Sequence, residues 1–444
     1  MTMIRGSFRA TVLMGAAAAV LAFAIGAKAQ NRDYDDNRSQ NDDQSQNNTS
    51  APKDNPWPYS PSGKSPVLAV VGDIACQPGA ETTGESAKEV CTDTPGNAGT
   101  PETLWQSQEA TANQIEAMRP DAVALLGDLQ YQVGRYSDFE QSFDLTYGAF
   151  KFLQRPAPGN HEFYNEHGAI GVAGYGYFSY FNGFELNPDG TIPMTTIPNP
   201  CPTPSSSCKA AGATAVPSSQ PVPRQDGQAG NFGTAGNGWY SYNLGSWHLI
   251  SLNIECYTQP GGCSSTGTWF ASELAWLKKD LEENHSACTA AYWHQPTFSA
   301  TNGITQEGET AQAFWQLLYQ YGADLVLNGH DHLYARYRPL DPSGKPDPRK
   351  GIREFIVGTG GETLDPVVTS NTTTADPSAN PNFNAENLET GIEGGQFWGV
   401  MSLTLDPNGY NWDFESALPD LQQTASSAAY SDVGSGICHG PVNK

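Results

Sequence analysis

The chain has 444 residues, 38% of them hydrophobic, with 46 glycines, 32 prolines and a formal charge of −24. That length holds one large domain or two ordinary ones with a sizeable core, and the glycine and proline load points to long loops. The acidic balance excludes long-range attraction to nucleic acid or anionic membranes; an anionic substrate would need local cations, such as bound metal ions, to overcome it.

Residues 1–29 read as a secretory signal. Arg5 and Arg9 precede an apolar, alanine-rich run from Thr11 to Gly26, and Ala27-Lys28-Ala29 is an A-x-A cleavage site. The rival reading, a membrane anchor, needs a longer apolar run. Cutting after Ala29 removes Arg5, Arg9 and Lys28 and no acidic residue, so the formal charge moves from −24 to −27. The mature protein is expected to be secreted or periplasmic, without stable membrane insertion. Residues 30–64, dominated by Asn, Gln, Asp, Ser and Pro, have the composition of a disordered linker. Eight cysteines in an exported chain predict disulfides. Spacing favours Cys76 with Cys91, Cys201 with Cys208 and Cys256 with Cys263, leaving Cys288 and Cys438 to tie the C-terminal tail to the core. No C-x-x-C spacing supports a cysteine metal site.

The folded domain is expected over residues 65–416. Val67–Val71 reads as a buried strand ending in Gly72-Asp73-Ile74-Ala75. Thr103–Met118 reads as a helix closed by Arg119-Pro120. Ala122–Leu126 is a second buried strand, ending in Gly127-Asp128-Leu129-Gln130-Tyr131, and Phe139–Phe150 reads as helical. Phe152–Ala157 leads into Pro158-Gly159-Asn160-His161-Glu162. Residues 165–237, rich in Gly, Pro, Ser and Thr, read as a loop insertion over or beside the site. Trp239–Gly245 and Trp247–Asn253 form a hairpin, and Trp269–Asn284 carries apolar residues at helical spacing. Thr289–Trp293 ends in His294, a helix covers Glu309–Tyr321, and Ala323–Leu327 runs into Asn328-Gly329-His330-Asp331-His332. Glu354–Val357 precedes Gly358-Thr359-Gly360-Gly361. A closing hairpin turns at Pro407-Asn408-Gly409, and residues 417–444 read as a polar tail.

Alternating strands and helices with polar residues at each strand's C-terminal end describe an α/β fold whose site gathers at one sheet edge. Singly, each such residue has an ordinary reading: an Asp after a strand caps a helix, an Asn after Gly makes a turn, a lone His packs. Asp73, Asp128, Tyr131, Asn160, His161, His294, His330 and His332 together are a set of metal-ligand and acid–base types at five strand ends.

The order Gly-Asp, Gly-Asp-x-x-Tyr, Gly-Asn-His-Glu, strand-end His and Gly-His-x-His closely resembles the calcineurin-like metallophosphoesterases and, within them, the purple acid phosphatases. Ala75 stands where the wider superfamily has a histidine, and Tyr131 matches the purple acid phosphatase tyrosine. The resemblance runs from about Val67 to Leu405. It implies an αββα sandwich, two mixed sheets flanked by helices, and an exported phosphatase that hydrolyses phosphomonoesters with hydroxide bound to two metals. It implies one ion on Asp73, Asp128, Tyr131 and His332, a second on Asp128, Asn160, His294 and His330, and Fe(III) with divalent Fe, Zn or Mn. His161, with Asn160, would bind the phosphate of a small substrate, and His161 would act as the catalytic imidazole. Asp331 would orient a ligand. A phosphodiesterase or nucleotide hydrolase shares these motifs, and a non-catalytic phosphate-binding surface protein is the reading from another class. Phe298–Glu309 lacks the histidines that plant-type enzymes carry after the strand-end His, which leaves the leaving-group acid open. The first motif also starts too close to the signal for the plant enzymes' extra N-terminal β-sandwich.

Overall fold

The computed structural model describes residues 64–78, 101–164, 174–183, 237–259, 261–299, 307–365, 397–417 and 430–440, with the short pieces 90–91, 194–198, 213–217, 229, 301 and 388–391. The expected signal, linker and Cys201–Cys208 pair lie outside the described residues.

Strand β1 (Val67–Val71) shows how the layers arise. Leu68 and Val70 enter one apolar cluster, while Ala69 and Val71 enter another on the opposite face. A strand with no polar face has to lie between two layers. Helix α1 (Pro101–Met118) precedes β2 (Ala122–Leu126), which splits its side chains the same way: Ala122, Ala124 and Leu126 face one cluster, Val123 and Leu125 the other. The outer cluster takes Ala112 and Ile115 of α1 together with Phe139, Phe143, Tyr147 and Phe150. These last four belong to the helical segment expected near 139–150, which is broken into short turns of changing pitch between Tyr136 and Leu153.

Strand β3 (Gln154–Ala157) leads into the one-turn helix α2 (Asn160–Phe163), and α3 spans Tyr175–Asn182. Next come β4 (Tyr240–Leu244), β5 (Trp247–Ser251), α4 (Thr268–Glu283) and β6 (Cys288–Tyr292). They are followed by α5 (Glu307–Gln320), β7 (Leu325–Asn328), β8 (Tyr334–Tyr337) and β9 (Arg353–Val357). The chain closes with β10 (Leu388–Gly391), β11 (Gly399–Asp406), β12 (Gly409–Ser416) and β13 (Ser431–Ile437). One sheet has the order β13-β12-β11-β1-β2-β3, the other β10-β8-β9-β7-β6-β5-β4. Within them β1, β2 and β3 run parallel, as do β5, β6, β7 and β9. The inner cluster joins the two sheets and continues onto Phe270 and Leu277 of α4 and Phe314 and Leu318 of α5. The result is the expected αββα sandwich of two mixed sheets.

Three stretches differ from the sequence reading. Part of the 165–237 loop is helix α3, in which all eight residues are buried. Its rings stack into the outer cluster, Tyr180 on Phe139 at 4.9 Å. Aromatics at 175, 177, 178, 180 and 181 leave no polar face, so no helical period is visible, and the flanking glycines read as loop. Residues 194–198 and 213–217 pair as an antiparallel ribbon. The polar tail contains β13, which pairs with β12 from Gly409↔Ile437 to Glu415↔Ser431. Its glycines hide it: a Cβ on Gly434 would fall 2.2 Å from the Trp412 ring, and one on Gly436 2.2 Å from Tyr410. The aromatics of β12 cover the space that β13 lacks side chains to fill.

Two expected disulfides are present, Cys256–Cys263 and Cys288–Cys438. Cys76 is also disulfide-bonded; the side chain of Cys91, its expected partner, lies outside the description. Among the described residues no helix is long and apolar enough to cross a membrane.

Candidate metal centre

Because β1, β2 and β3 are parallel, and β6 and β7 are parallel in the facing sheet, the chain leaves all five at one edge of the sandwich. Asp73, Asp128, Asn160 with His161, His294, and His330 with His332 therefore converge from sequence positions up to 259 residues apart. Asp73, Asp128 and His330 adopt left-handed backbone, with φ of 60°, 48° and 68°. Non-glycine residues there cost on the order of 1–3 kcal/mol each and persist where the surroundings hold them. They are held: Asp73 N–H donates to Gly127 O at 3.1 Å, and His330 N–H donates to Asp73 Oδ2 at 2.9 Å.

The glycines before these residues do not simply supply the turn. Gly127 carries a φ of +89°, but Gly159 and Gly329 are needed for close approach. A Cβ at Gly159 would lie 2.3 Å from Asp128 Oδ1, and one at Gly329 2.5 Å from Asp73 Oδ2.

Two groups of donors touch. In the first, Tyr131 Oη lies 3.1 Å from Asp73 Oδ1 and 3.0 Å from His332 Nε2, and His332 Nε2 lies 3.3 Å from Asp73 Oδ1. In the second, His330 Nδ1 lies 3.2 Å from Asn160 Oδ1 and 3.3 Å from His294 Nε2. Asp128 belongs to both: its Oδ2 is 2.9 Å from His294 Nε2 and 3.4 Å from Tyr131 Oη. His161 stands beside it, with Nε2 3.8 Å from Asp128 Oδ2 and its backbone N–H donating to Asp128 Oδ1 at 2.8 Å. Ligand atoms of Asp128, His294 and His330 all fall within 4.8 Å of one another. All eight residues singled out in the sequence thus lie in one connected cluster.

The supporting contacts fix which atom each residue presents. Leu126 O takes His294 Nδ1 at 2.8 Å and Thr363 O takes His332 Nδ1 at 2.7 Å, so both rings turn Nε2 inward. Asn160 donates Nδ2 to Tyr164 Oη at 2.8 Å, while Gln295 Nε2 donates to Asn160 Oδ1 at 3.3 Å and to Glu255 Oε1 at 2.7 Å. The amide oxygen accordingly faces the imidazoles. Glu162 gathers four backbone N–H groups, from Asp128, Leu129, Gln130 and Gly159, and clamps the Asp128 loop to the start of α2. The loop after β9 fastens the first motif, with Gly360 N–H donating to Gly72 O and Glu362 N–H to Asp73 O. Ala75 pairs through its backbone with the segment that carries Tyr131, whose N–H donates to Ala75 O at 2.9 Å.

The Asp331 carboxylate accepts from Ser299 Oγ at 2.7 Å and Thr301 Oγ1 at 3.1 Å, so it anchors the loop after β6, while backbone carbonyls orient the His294 and His332 rings. Glu162, Glu255, Gln295 and Tyr164 were not assigned from sequence. Glu162 had a visible signal as the last letter of Gly-Asn-His-Glu; Glu255 had none.

Charge is balanced inside this cluster. Burial opposes the Asp128 carboxylate, but the His294 and His161 imidazoles outweigh it and hold its pKa below the usual carboxylate range. Burial likewise opposes charge on His294, yet the Asp128 carboxylate pulls it up to about 10. His330 goes the other way: burial, then the neighbouring His294 charge, push it down to about 3. His161 is lowered by burial, against the pull of Asp128. A neutral His330 and an anionic Asp128 are the states in which these groups donate to a metal. The donor set of carboxylates, phenol, imidazoles and amide oxygen fits hard to borderline cations.

A family model described as calcineurin-like phosphoesterase matches residues 66–334. The chain belongs to the calcineurin-like phosphoesterase family. Its relatives in this family include purple acid phosphatase 15 of Arabidopsis thaliana, 33% identical over 121 residues, which is 25% of this chain and 21% of that protein. Acid phosphatase type 7 of Homo sapiens is 27% identical over 119 residues, 23% of this chain and 26% of that protein. The chain thus spans about a fifth to a quarter of these relatives' length. Among solved phosphoesterase structures, the purple acid phosphatase from yellow lupin seeds shares the fold, with a TM-score of 0.50 and 16% identity over 84% of this chain and 55% of that one. The matched span of the family model contains every residue of the cluster, from Asp73 to His332.

Proposed function

We propose that this protein is an exported phosphatase that hydrolyses phosphomonoesters with two metal ions at the sandwich edge. Asp73, Tyr131 and His332 would hold one ion, Asn160, His294 and His330 the other, and Asp128 would bridge them. The observation that carries this reading is the meeting of Tyr131 Oη with Asp73, Asp128 and His332, at 3.1, 3.4 and 3.0 Å. A phenol among carboxylates suits Fe(III), and imidazoles with an amide oxygen suit divalent Fe, Zn or Mn. Metal ions held by these residues would supply positive charge for the phosphoryl oxygens and would lower the pKa of water.

The chain's own side chains bind and orient. His161 has Nδ1 tied to Gln132 O at 2.7 Å, which leaves Nε2 to meet the phosphate. Asn160 is fixed by Tyr164 and Gln295, so its oxygen keeps one direction through the reaction. The clamp on Glu162 keeps the Asp128 and Asn160 loops at constant separation, the preorganisation that electrostatic catalysis needs. Export is supported by the disulfides of Cys76, Cys256–Cys263 and Cys288–Cys438, which persist in oxidising compartments.

The test is metal analysis with a visible absorption spectrum on protein from its own host, followed by rates on phenyl phosphate and on a diester such as bis(4-nitrophenyl) phosphate. Two metals per chain, a phenolate-to-iron band and monoester preference are expected. A strong diester preference would replace the monoester reading with a phosphodiesterase; no metal would end the proposal.

A further inference from the structure

Three rings line up from the buried centre to the rim. Tyr131 and His161 have ring centroids 4.2 Å apart, and His161 and Tyr164 4.8 Å apart. Exposure rises along the row: Tyr131 is fully buried, the His161 side chain is 14% exposed and Tyr164 40%. Tyr164 is thus a large aromatic side chain kept partly in water directly beside the imidazole that faces the phosphate. It is not placed there loosely. Its N–H donates to Asn160 O at 2.8 Å at the end of α2, and its hydroxyl accepts from Asn160 Nδ2 at 2.8 Å.

We propose that Tyr164 is the specificity-determining residue for the leaving group, continuing the aromatic row so that an aryl phosphate seats its ring against Tyr164 while its phosphate meets His161. This rests on the phosphomonoesterase reading above. The chemistry of the rest of the site agrees. Of the four imidazoles in the cluster, three lie among the metal donors and only His161 stands apart, and the sequence from Phe298 to Glu309 contains no histidine. An aryl oxide needs little acid assistance, because a phenol has a pKa of about 10. In the reaction the oxygen of water bonds to phosphorus, the phosphorus–oxygen bond to the ring breaks, and its electron pair leaves on the aryl oxygen as phenoxide, which takes a proton from water. The hydroxyl of Tyr164 has a separate task as a positioning group: it holds the Asn160 amide so that Oδ1 points at the metal donors.

Two variants separate the ring from the hydroxyl. The readout is the ratio of kcat/KM on phenyl phosphate to that on glycerol 3-phosphate, with a thermal melt on each protein. Tyr164→Ala is expected to lower the ratio roughly fivefold, the size of one aromatic contact, mainly through KM on phenyl phosphate. Tyr164→Phe is expected to keep the ratio within about twofold while lowering kcat on both substrates, since stacking survives and the Asn160 bond does not. An unchanged ratio in Tyr164→Ala overturns the proposal. If the wild type hydrolyses neither ester, the phosphatase reading fails by itself, and calorimetric binding of phenylphosphonate against methylphosphonate then decides the aromatic seat. A phenyl preference lost in Tyr164→Ala supports it, and none in the wild type overturns it.

Discussion

Asp128 and Asp432 are both carboxylates withdrawn from solvent, and they are held in opposite ways. Asp128 sits among groups that can change state: His294 at 2.9 Å, Tyr131 at 3.4 Å and His161 at 3.8 Å. Asp432, on β13, accepts from Arg336 Nε at 2.8 Å, Arg336 Nη2 at 3.2 Å, Tyr334 Oη at 2.7 Å and Trp412 Nε1 at 3.2 Å. Arginine keeps its charge at any working pH, and its fork matches a carboxylate. The guanidinium also lies 4.8 Å from the Trp412 ring centroid, a cation–π contact. A site that must admit a cation uses donors that can give up a proton; a strap that must stay closed uses donors that cannot. Asp138 is a third case, buried with weak partners: the nearest cation, Arg135, is 3.8 Å away.

Substitutions at these three positions and at Gly434 of β13 test the contrast. The largest expected effect is from Asp128→Asn. On the proposed two-metal reading it removes the charge shared by the two donor groups, and kcat/KM should fall by about a thousandfold, with bound metal lost and the cooperative melt retained. Activity within tenfold of wild type would break the comparison. Asp432→Ala should do the reverse: it removes the carboxylate that accepts from Arg336 Nε and Nη2 and should cost about 3 kcal/mol in urea denaturation, while kcat/KM per folded molecule stays within about twofold.

The pH dependence should run in opposite directions for the two structural carboxylates. Hydrogen bonds and the charge of Arg336 outweigh burial and lower the Asp432 pKa, so its contribution is present at neutral pH and is lost as pH falls through the folded value. Burial raises Asp138 to about 6 from 3.8, so the fold prefers the protonated form. Stability from Asp138 is complete below its unfolded pKa and is lost as pH rises towards 6. Asp138→Asn should therefore gain about 2 kcal/mol at neutral pH and nothing at acid pH; chemical denaturation at several pH values reads this directly. The smallest effect is expected from Gly434→Val, which drives a side chain into the Trp412 ring and should cost about 1–2 kcal/mol without touching activity. A silent Gly434→Val would show that β13 is not seated as closely as Asp432 suggests.

The strands that carry the site were legible because each is a short apolar run closed by a polar motif. Val67–Val71, Ala122–Leu126 and Leu325–Asn328 need no partner to be recognised. β8 and β13 were not legible. Tyr334–Tyr337 is only four residues, Tyr-Ala-Arg-Tyr, with no two-residue polar alternation, and Ser431–Ile437 carries glycine and serine at four of seven positions, its glycines packing on Trp412 and Tyr410. The same distinction holds in the site. Every proposed ligand is a motif letter at a strand end, whereas Gln295 and Tyr164 reach the site through contacts with Asn160 across 135 and 4 residues of chain, and Glu255 through Gln295 across 40.

The sequence by itself determined the strand bodies, the residue types at their ends and hence the family, because burial and backbone preference act locally along the chain. Only the tertiary structure decided which ring nitrogen faces inward, where the left-handed positions fall and what Asp331 holds. Those outcomes depend on partners distant in the chain: Leu126 O and Asp73 Oδ2 from the other sheet for His294 and the His330 backbone, and Thr363 O, past the neighbouring strand β9, for His332. A side chain's chemistry is written in its letter, but its direction is set by whichever buried polar group needs a partner beside it.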